Sequence, residues 1–237
     1  MTDESMKIKL FADGADKNGI LEMYGNPQID GFTTNPTLMR KAGIKDYITF
    51  AKDILKEIPD KPISFEVFAD EFDEMERQAL EISGWGQNVY VKIPVMNTKR
   101  ETSYDLVRKL SQSGVQLNIT AMMTLEQVRN VSDAVKGGAS CFVSVFAGRI
   151  ADTGLDPVPL MEEALGLLEK SPNAELLWAS PREVLNVYQA EAIGCHIITA
   201  TNDILKKLNL EGKDLTDYSQ ETVQMFFNDA QAAGFEI

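Results

Sequence analysis

The chain has little of the residue types that hold metal ions or form disulfides. Its 237 residues include one histidine, His196, and two cysteines, Cys141 and Cys195. Both cysteines fall in apolar runs, so we expect buried thiols and no disulfide. No His/Cys/carboxylate spacing is typical of a zinc site, and no glycine-rich loop is typical of nucleotide binding. We therefore expect neither a metal nor an organic cofactor.

Positive charge and long apolar runs are also scarce. Lysine and arginine number 23 against 36 acidic residues, which gives a formal net charge of −13. Nucleic acids and anionic membrane surfaces attract basic patches, so this balance argues against both as partners. No stretch has the length of a membrane span, and the acidic start at residues 1–5 lacks an apolar signal core. We expect a cytoplasmic protein.

Short apolar segments that alternate with helical patterns occupy most of the chain. Eight segments have the length and composition of buried strands: 8–13, 31–35, 63–68, 89–94, 116–120, 141–146, 174–180 and 195–201. The stretches between most of them have helical periodicity, for example 47–58, 74–82, 104–111, 125–135 and 160–168. This alternation predicts an α/β fold, a single (β/α)8 TIM barrel over residues 1–237. A doubly wound open sheet is the alternative.

The last 21 residues predict one more helix. In residues 217–237, Val223, Phe226 and Phe227 form an apolar face. An exposed apolar face of this kind is consistent with a contact between subunits. No linker or internal repeat marks a second domain.

Lys92 stands where a lysine is costly. It lies in Val89-Tyr90-Val91-Lys92-Ile93-Pro94, an apolar run that predicts a fully buried strand. Burial penalises an ammonium ion and frees the amine as a nucleophile, and such amines form Schiff bases with carbonyl substrates. The alternative is a structural lysine that snorkels past the strand end or pairs with a buried carboxylate.

Strand alternation brings other polar side chains to the same place. If Lys92 points into the barrel, Val91 and Ile93 point outward toward the helices. The other strands then combine an apolar outer face with a polar inner face near their C-terminal ends, where barrel active sites form. The side chains predicted to meet there belong to Asp13, Asn35, Glu66, Lys92, Asn118, Thr120, Ser144, Phe146 and Ser180. Parity with Ser180 also points Trp178 into the barrel.

The segments that carry these residues resemble the transaldolase family. The resemblance is strongest to its small subgroup, which also contains the fructose-6-phosphate aldolases. The matching segments are Leu10-Phe11-Ala12-Asp13, Gly31-Phe32-Thr33-Thr34-Asn35-Pro36, Glu66-Val67, Val91-Lys92-Ile93-Pro94, Asn118-Ile119-Thr120, Ser144-Val145-Phe146-Ala147-Gly148-Arg149-Ile150 and Ala179-Ser180-Pro181-Arg182. They lie on seven of the eight predicted strands, and the family implies a barrel of the Schiff-base aldolase type.

The resemblance implies four catalytic residues. Lys92 would form the Schiff base with the C2 carbonyl of a ketose phosphate, and Asp13 would take the proton from the C4 hydroxyl. Glu66 and Thr120 would hold a catalytic water and relay protons. From the residues alone, Asp13 also fits a turn or cap residue before Gly14, and Glu66 also fits an ion-pair partner of Lys92, which is compatible with catalysis.

Two further positions correspond to contacts with the dihydroxyacetone unit in the family. Asn35 and Ser144 would bind its hydroxyl groups. Asn35 precedes Pro36, so it also fits the N-cap of a helix whose first turn holds the proline. Both roles are compatible.

The resemblance assigns phosphate binding to Arg149 and Arg182, with Ser180 beside them. Guanidinium groups suit phosphate because they present paired donors. The alternative is that each arginine neutralises a nearby carboxylate, such as Asp152 or Glu183.

The residue types at two positions favour one reaction of the family over another. Transaldolases combine a glutamate with a phenylalanine, which correspond to Glu66 and Phe146, whereas the aldolases carry glutamine and tyrosine. We therefore expect transfer of a dihydroxyacetone unit between sugar phosphates, as in the pentose phosphate pathway. An aldolase that releases free dihydroxyacetone and a non-catalytic sugar-phosphate-binding barrel are the alternatives. The resemblance further implies a homo-oligomer, a pentamer or decamer, that uses the C-terminal helix.

Overall fold

Eight parallel strands close into a barrel in the computed structural model, which describes residues 6–236. The strands are β1 (Lys9–Asp13), β2 (Ile29–Thr33), β3 (Ile63–Glu66), β4 (Val89–Pro94), β5 (Leu117–Met122), β6 (Cys141–Val145), β7 (Ala174–Trp178) and β8 (Ile197–Thr201). Each strand pairs with the next along the chain, and β8 pairs with β1. The predicted (β/α)8 barrel is confirmed, and the open doubly wound alternative is wrong.

Helices alternate with the strands along the chain. They are α1 (Lys17–Tyr24), α2 (Pro36–Lys41), α3 (Tyr47–Glu57), α4 (Phe72–Ser83), α5 (Tyr104–Gln112), α6 (Leu125–Val135), α7 (Ala147–Ala151), α8 (Val158–Leu168), α9 (Leu185–Ala192) and α10 (Asn202–Lys206). A 3₁₀ turn at Lys207–Leu210 and α11 (Leu215–Ala233) complete the chain. The bounds of α6 equal the predicted ones because a capping box of Thr124 and Gln127 defines its start.

One strand begins earlier than its pattern predicts. β2 starts at Ile29, two residues before the predicted start at residue 31, and Ile29 pairs with Leu10. The sequence pattern does not show this start, because Asp30 interrupts the apolar run and a carboxylate is more typical of a turn than of a strand. Its Oδ2 accepts a 2.9 Å hydrogen bond from the backbone N–H of Leu10 on the neighbouring strand, so the carboxylate has a partner within the sheet.

The register places the polar side chains at one level of the barrel. Glu66 on β3 lies beside Lys92 on β4, which lies beside Asn118 on β5. Neighbouring residues in register point to the same face of a sheet. Val91 and Ile93, on the opposite face of β4, are completely buried. The predicted division into polar inner and apolar outer faces is therefore confirmed for β4.

An aromatic floor closes the barrel below this polar level. The ring of Tyr90 stacks on that of Phe142 at 3.9 Å between centroids, and Phe11 meets Phe142 edge-on at 5.5 Å. Gly31 makes room for this packing, because a Cβ there would lie 2.5 Å from the ring of Phe11. Such aromatic pairs contribute about 1 kcal/mol each beyond their buried area.

The predicted inward orientation of Trp178 is wrong. Trp178 lies level with Val145 on the outward face of β6, whereas its neighbours Leu177 and Ala179 face the interior. The alternation is broken at Ser180, which follows the strand with a φ of 58°. Counting faces back from Ser180 therefore assigns Trp178 to the wrong side.

A second compact unit starts at Lys206, after a first that ends at Leu205. It contains α11, which confirms the predicted C-terminal helix. Most of the larger apolar side chains of this unit are exposed, among them Val223, Phe226 and Phe227. Use of this face in subunit contacts stays a prediction. Within residues 6–236, none of the helices has the length and apolar composition needed to cross a membrane.

Candidate active site

A cavity of about 490 Å³ opens at the C-terminal ends of the strands. All ten residues predicted for catalysis or binding line it: Asp13, Asn35, Glu66, Lys92, Thr120, Ser144, Phe146, Arg149, Ser180 and Arg182. These ten residues come from seven of the eight strands or the segments that follow them, so the barrel brings together residues up to 169 positions apart. Their part in a reaction stays a prediction.

Lys92 lies at the bottom of this cavity and is 6% exposed. Its Nζ donates a 2.9 Å hydrogen bond to the carbonyl oxygen of Thr34 and lies 3.5 Å from Oε2 of Glu66. The ion pair that the sequence left as an alternative for Glu66 is therefore present. It does not exhaust the ammonium group, because its nitrogen carries three hydrogens. The same pair gives Lys92 a proton acceptor within reach.

Glu66 combines burial with two neighbouring charges. Burial raises the pKa of its carboxyl group, the attraction of Lys92 lowers it, and the negative charge of Asp13 raises it further. The net direction of the pKa is upward. A carboxyl group held in this way both accepts and returns a proton more readily near neutral pH than an exposed glutamate does.

Asp13 is held by two hydrogen bonds at the end of β1. The hydroxyl group of Thr33 donates to its Oδ1 at 2.8 Å, and Nδ2 of Asn35 lies 3.5 Å from its Oδ2. Burial raises the pKa of Asp13, while Lys92, Thr33 and Asn35 lower it, and the net direction is again upward. The carboxyl group is therefore oriented into the cavity and poised for proton transfer.

The position of Asn35 is compatible with both of its predicted roles, the helix cap and the contact with a ligand. Its Oδ1 accepts a 2.9 Å hydrogen bond from the backbone N–H of Leu38, which caps α2, and Pro36 occupies the first helical position. The amide nitrogen faces Asp13 and the cavity. The cap thus fixes the side-chain orientation and leaves one amide hydrogen for a ligand, since the other faces Asp13.

A chain of hydrogen bonds crosses the barrel beside Lys92. The hydroxyl group of Ser144 donates to Oδ1 of Asn118 at 2.6 Å, and Nδ2 of Asn118 donates to Oγ of Ser64 at 3.0 Å. Nearby, the buried Oγ1 of Thr120 has no hydrogen-bond partner among residues 6–236. Buried hydroxyl groups are rarely left unpaired, so this one is available to a ligand or to water.

Two arginines line the mouth of the cavity in different ways. The guanidinium carbon of Arg149 lies 6.0 Å from the ring centre of Phe146, within the range of a cation–π contact. Arg182 forms a two-pronged ion pair with Asp152, in which Nε donates to Oδ1 at 2.9 Å and Nη2 donates to Oδ2. The predicted alternative of a carboxylate partner is therefore present for Arg182.

A glycine joins α7, which carries Arg149, to the segment after β7 that carries Arg182. The backbone N–H of Gly148 donates to the carbonyl oxygen of Ala179 at 3.3 Å. A Cβ at position 148 would lie 1.5 Å from the carbonyl oxygen of Ser180, so only glycine allows this approach. The contact sets the separation of Arg149 and Arg182 across the cavity mouth.

The sequence reasoning missed several contributors to the site, among them Thr33, Thr199 and the backbone of Thr34. Thr33 orients Asp13 and shares a 2.5 Å hydrogen bond with Thr199, and the carbonyl oxygen of Thr34 accepts from Lys92. Thr33 carried a usable signal, because it pairs with Asp13 at the same height on the neighbouring strand. The Thr34 carbonyl carried none, because backbone oxygens leave no trace in a residue pattern.

Within the described part of the chain, no group of three or more His, Cys, Asp or Glu side chains is arranged to hold a metal ion. Cys141 and Cys195 are buried free thiols, as predicted. Burial raises the pKa of each thiol to about 12. Neither therefore supplies a thiolate nucleophile near neutral pH.

Comparison with known proteins agrees with the resemblance seen in the sequence. A family model described as Transaldolase/Fructose-6-phosphate aldolase matches residues 10–237. The chain belongs to this family. All ten predicted site residues lie within the matched range.

Curated relatives in this family have similar lengths. A probable transaldolase of Thermoanaerobacter sp. (strain X514) is 32% identical over 231 residues, which cover 97% of this chain and the whole of that protein. A probable transaldolase of Thermoplasma volcanium is 35% identical over 204 residues, 85% of this chain and 87% of that protein. The family relationship therefore extends over nearly the whole chain.

Solved structures of more distant proteins share the fold. The crystal structure of 2,3-dimethylmalate lyase, a PEP mutase/isocitrate lyase superfamily member, has a TM-score of 0.56 at 14% identity, over 96% of this chain and 94% of that one. The crystal structure of KGPDC from Streptococcus mutans has a TM-score of 0.54 at 11% identity, over 84% of this chain and 90% of that one. At such identities the likeness concerns the barrel alone.

Proposed function

We propose that this member of the transaldolase/fructose-6-phosphate aldolase family is a transaldolase that acts through a Schiff base on Lys92. It would transfer a dihydroxyacetone unit from a ketose phosphate, such as fructose 6-phosphate or sedoheptulose 7-phosphate, to an aldose phosphate. The observation that carries the proposal is a buried lysine that shares one cavity with two half-buried carboxyl groups of raised pKa. A binding protein has no need for that expensive arrangement.

In the first step, the neutral amine of Lys92 attacks the C2 carbonyl carbon of the ketose. The carbon–nitrogen bond forms, and the carbonyl oxygen takes up protons and leaves as water. Glu66 is close enough to take the proton that Lys92 must lose before attack, since Oε2 lies 3.5 Å from Nζ. The unpaired hydroxyl group of Thr120 would hold the departing water.

In the second step, Asp13 takes the proton of the C4 hydroxyl group. The C3–C4 bond then breaks, its electron pair moves into the iminium as an enamine, and the aldehyde product leaves. An acceptor aldehyde enters, its carbon bonds to C3, and Asp13 returns the proton to the new hydroxyl group. Water finally attacks the iminium and releases the new ketose and Lys92.

The charged end of the sugar would lie at the cavity mouth. Arg149 has no ion pair with a carboxylate within residues 6–236, so its donors are free for a phosphate group. Arg182 is held by Asp152 and would contribute its remaining N–H groups. Asn35 and Ser144 would contact the dihydroxyacetone hydroxyl groups deeper in the cavity.

The combination of Glu66 and Phe146 favours transfer over release. An aldolase with the same first steps would protonate the enamine and release free dihydroxyacetone, a step that needs an acid near C3. Phe146 supplies none, because its ring has no ionisable group. We therefore expect the enamine to survive until an acceptor aldehyde arrives.

Product formation with and without an acceptor tests the proposal. Purified protein is incubated with fructose 6-phosphate, with or without erythrose 4-phosphate, and the products are quantified by mass spectrometry. We expect sedoheptulose 7-phosphate only with the acceptor, and little free dihydroxyacetone without it. Lys92→Met should abolish both products, whereas Lys9→Met, which removes an exposed ion pair at the other end of the barrel, should not. Turnover by Lys92→Met would refute the proposal.

A further inference from the structure

The strand that carries Glu66 lacks one backbone hydrogen bond on the side that faces β2. The backbone N–H groups of Phe32 and Thr34 donate to the carbonyl oxygens of Pro62 and Ser64, at 2.8 and 3.3 Å. In a parallel ladder the donors on one strand and the acceptors on the next both advance by two residues. The donor due for the Glu66 carbonyl therefore belongs to residue 36. β2 ends at Thr33, and residue 36 is a proline that begins α2 and has no N–H group, so β2 offers no donor to this carbonyl.

A side chain from a different element takes the place of that donor. The hydroxyl group of Tyr47, the first residue of α3, donates to the carbonyl oxygen of Glu66 at 2.9 Å. Burial raises the pKa of Tyr47, so the phenol stays protonated and remains a donor. The ring is held edge-on by Phe65, Phe68 and Trp85, at centroid distances of 6.2, 4.4 and 5.7 Å.

The contact lies directly behind the reacting groups. Glu66 is the last residue of β3, and its carboxylate lies 3.5 Å from Nζ of Lys92. On the β4 side the chain is fixed by the next residue, because the N–H of Val67 donates to the carbonyl oxygen of Lys92 at 3.2 Å. On the β2 side, where the chain has already turned into α2, the Tyr47 hydroxyl supplies the donor that the ladder no longer provides.

We propose that Tyr47 is a positioning residue that holds Glu66 for proton exchange with Lys92. It touches no reacting atom, and it acts through the backbone of Glu66. The inference rests on the proposed Schiff-base function, and it adds a residue outside the cavity to it. A rotation of the Glu66 peptide would carry the carboxylate away from Lys92, and misplacement by about 1 Å is enough to slow a proton transfer severely.

The substitution Tyr47→Phe removes the hydroxyl group and keeps the ring. The matched control is Tyr24→Phe, because the hydroxyl group of Tyr24 donates to an exposed carboxylate, that of Asp60, at 2.7 Å. We expect the kcat of Tyr47→Phe to fall about 3- to 30-fold with KM changed less than about twofold. Loss of the hydroxyl group slows the proton exchange between Glu66 and Lys92 but leaves the contacts with the sugar unchanged. Tyr24→Phe should match the wild type in both constants.

A double-mutant cycle with Glu66→Gln separates positioning from a general structural role. If Tyr47 acts through Glu66, the substitution Tyr47→Phe has little further effect on kcat once Glu66 is Gln. Multiplicative effects of the two substitutions would overturn the proposal, as would an unchanged kcat in the single variant. All rates are measured at a temperature where circular dichroism shows each variant folded.

Failure of this proposal is distinguishable from failure of the proposed function. Wild-type protein that traps no sugar on Lys92 removes the function itself. Trapping by the wild type together with equal rates for Tyr47→Phe and Tyr24→Phe removes only the role of Tyr47. If Tyr47→Phe does not fold, 4-aminophenylalanine at position 47 restores an N–H donor. A kcat well above that of Tyr47→Phe supports the proposal. If only the amino analogue folds, a kcat near that of the wild type supports it as well. An amino analogue that folds but is inactive overturns the proposal.

Discussion

Replacing Lys92 by methionine should make stability depend on pH in a specific way. The substitution removes the positive charge from a site that holds Glu66 and Asp13. At 3.5 Å, opposite unit charges in a medium of effective dielectric constant about 20 attract by about 5 kcal/mol. The cost of desolvating both groups offsets much of this, but loss of one partner from a buried pair typically costs about 3–5 kcal/mol.

The size of the loss follows from the state of the two carboxyl groups. Without Lys92, the folded-state pKa values of Asp13 and Glu66 rise further, since the attraction of Lys92 is what lowers them. A carboxyl group with a raised folded-state pKa stabilises the fold below its unfolded pKa and loses that stability as the pH rises through the folded value. The destabilisation by Lys92→Met must therefore grow as the pH rises.

Urea unfolding at pH 5 and pH 8, followed by circular dichroism, measures this difference. We expect Lys92→Met to lower the free energy of unfolding by about 3 kcal/mol at pH 8 and by clearly less at pH 5. The control Lys9→Met removes a partly exposed ion pair with Glu175 and should cost below about 1 kcal/mol at either pH. A destabilisation that is equal at both pH values, or smaller at pH 8, would refute the electrostatic account of the site.

Further predictions concern proton transfer, backbone approach and charge at the mouth. Asp13→Asn should lower kcat at least 100-fold. The acid limb of the wild-type pH profile of kcat/KM should lie above the pKa of an ordinary aspartate, because burial raises the pKa of Asp13. An acid limb near pH 4 would contradict this. Gly148→Ala should destabilise the protein by about 2 kcal/mol or more, since its Cβ would meet the Ser180 carbonyl, whereas Gly166→Ala in a helix with open space should be neutral or stabilising in urea unfolding. Asp152→Asn should lower KM for a phosphorylated ketose a few-fold at unchanged kcat, because it frees a paired guanidinium group; a higher KM would assign Asp152 an orienting role.

The parts of the fold that follow from alternation could be predicted from the sequence. Strand period two and the placement of barrel sites at strand ends bring Glu66, Lys92 and Asn118 to one level, and the structure has them around one cavity. These features depend on local patterns that repeat in every strand. Asn35 was predictable for a similar reason, because an N-cap before proline is a local signal.

Features that depend on long-range contacts were not predictable in the same way. The predicted orientation of Trp178 was wrong because the φ of 58° at Ser180 interrupts the alternation of faces. The presence of a serine does not indicate that backbone conformation. The pairing of Arg182 with Asp152 was one of several alternatives, since nothing local orders charges 30 residues apart. The Tyr47 contact was also invisible, because the missing donor at Pro36 matters only once the strand register is known.

Trapping with borohydride tests the central claim most directly. The protein is incubated with fructose 6-phosphate and sodium borohydride, and its intact mass and peptide map are then measured. The account predicts that one dihydroxyacetone-sized adduct forms on Lys92 and that none forms on Lys92→Met. Folded wild-type protein that carries no adduct, or an adduct on a different lysine, would contradict it.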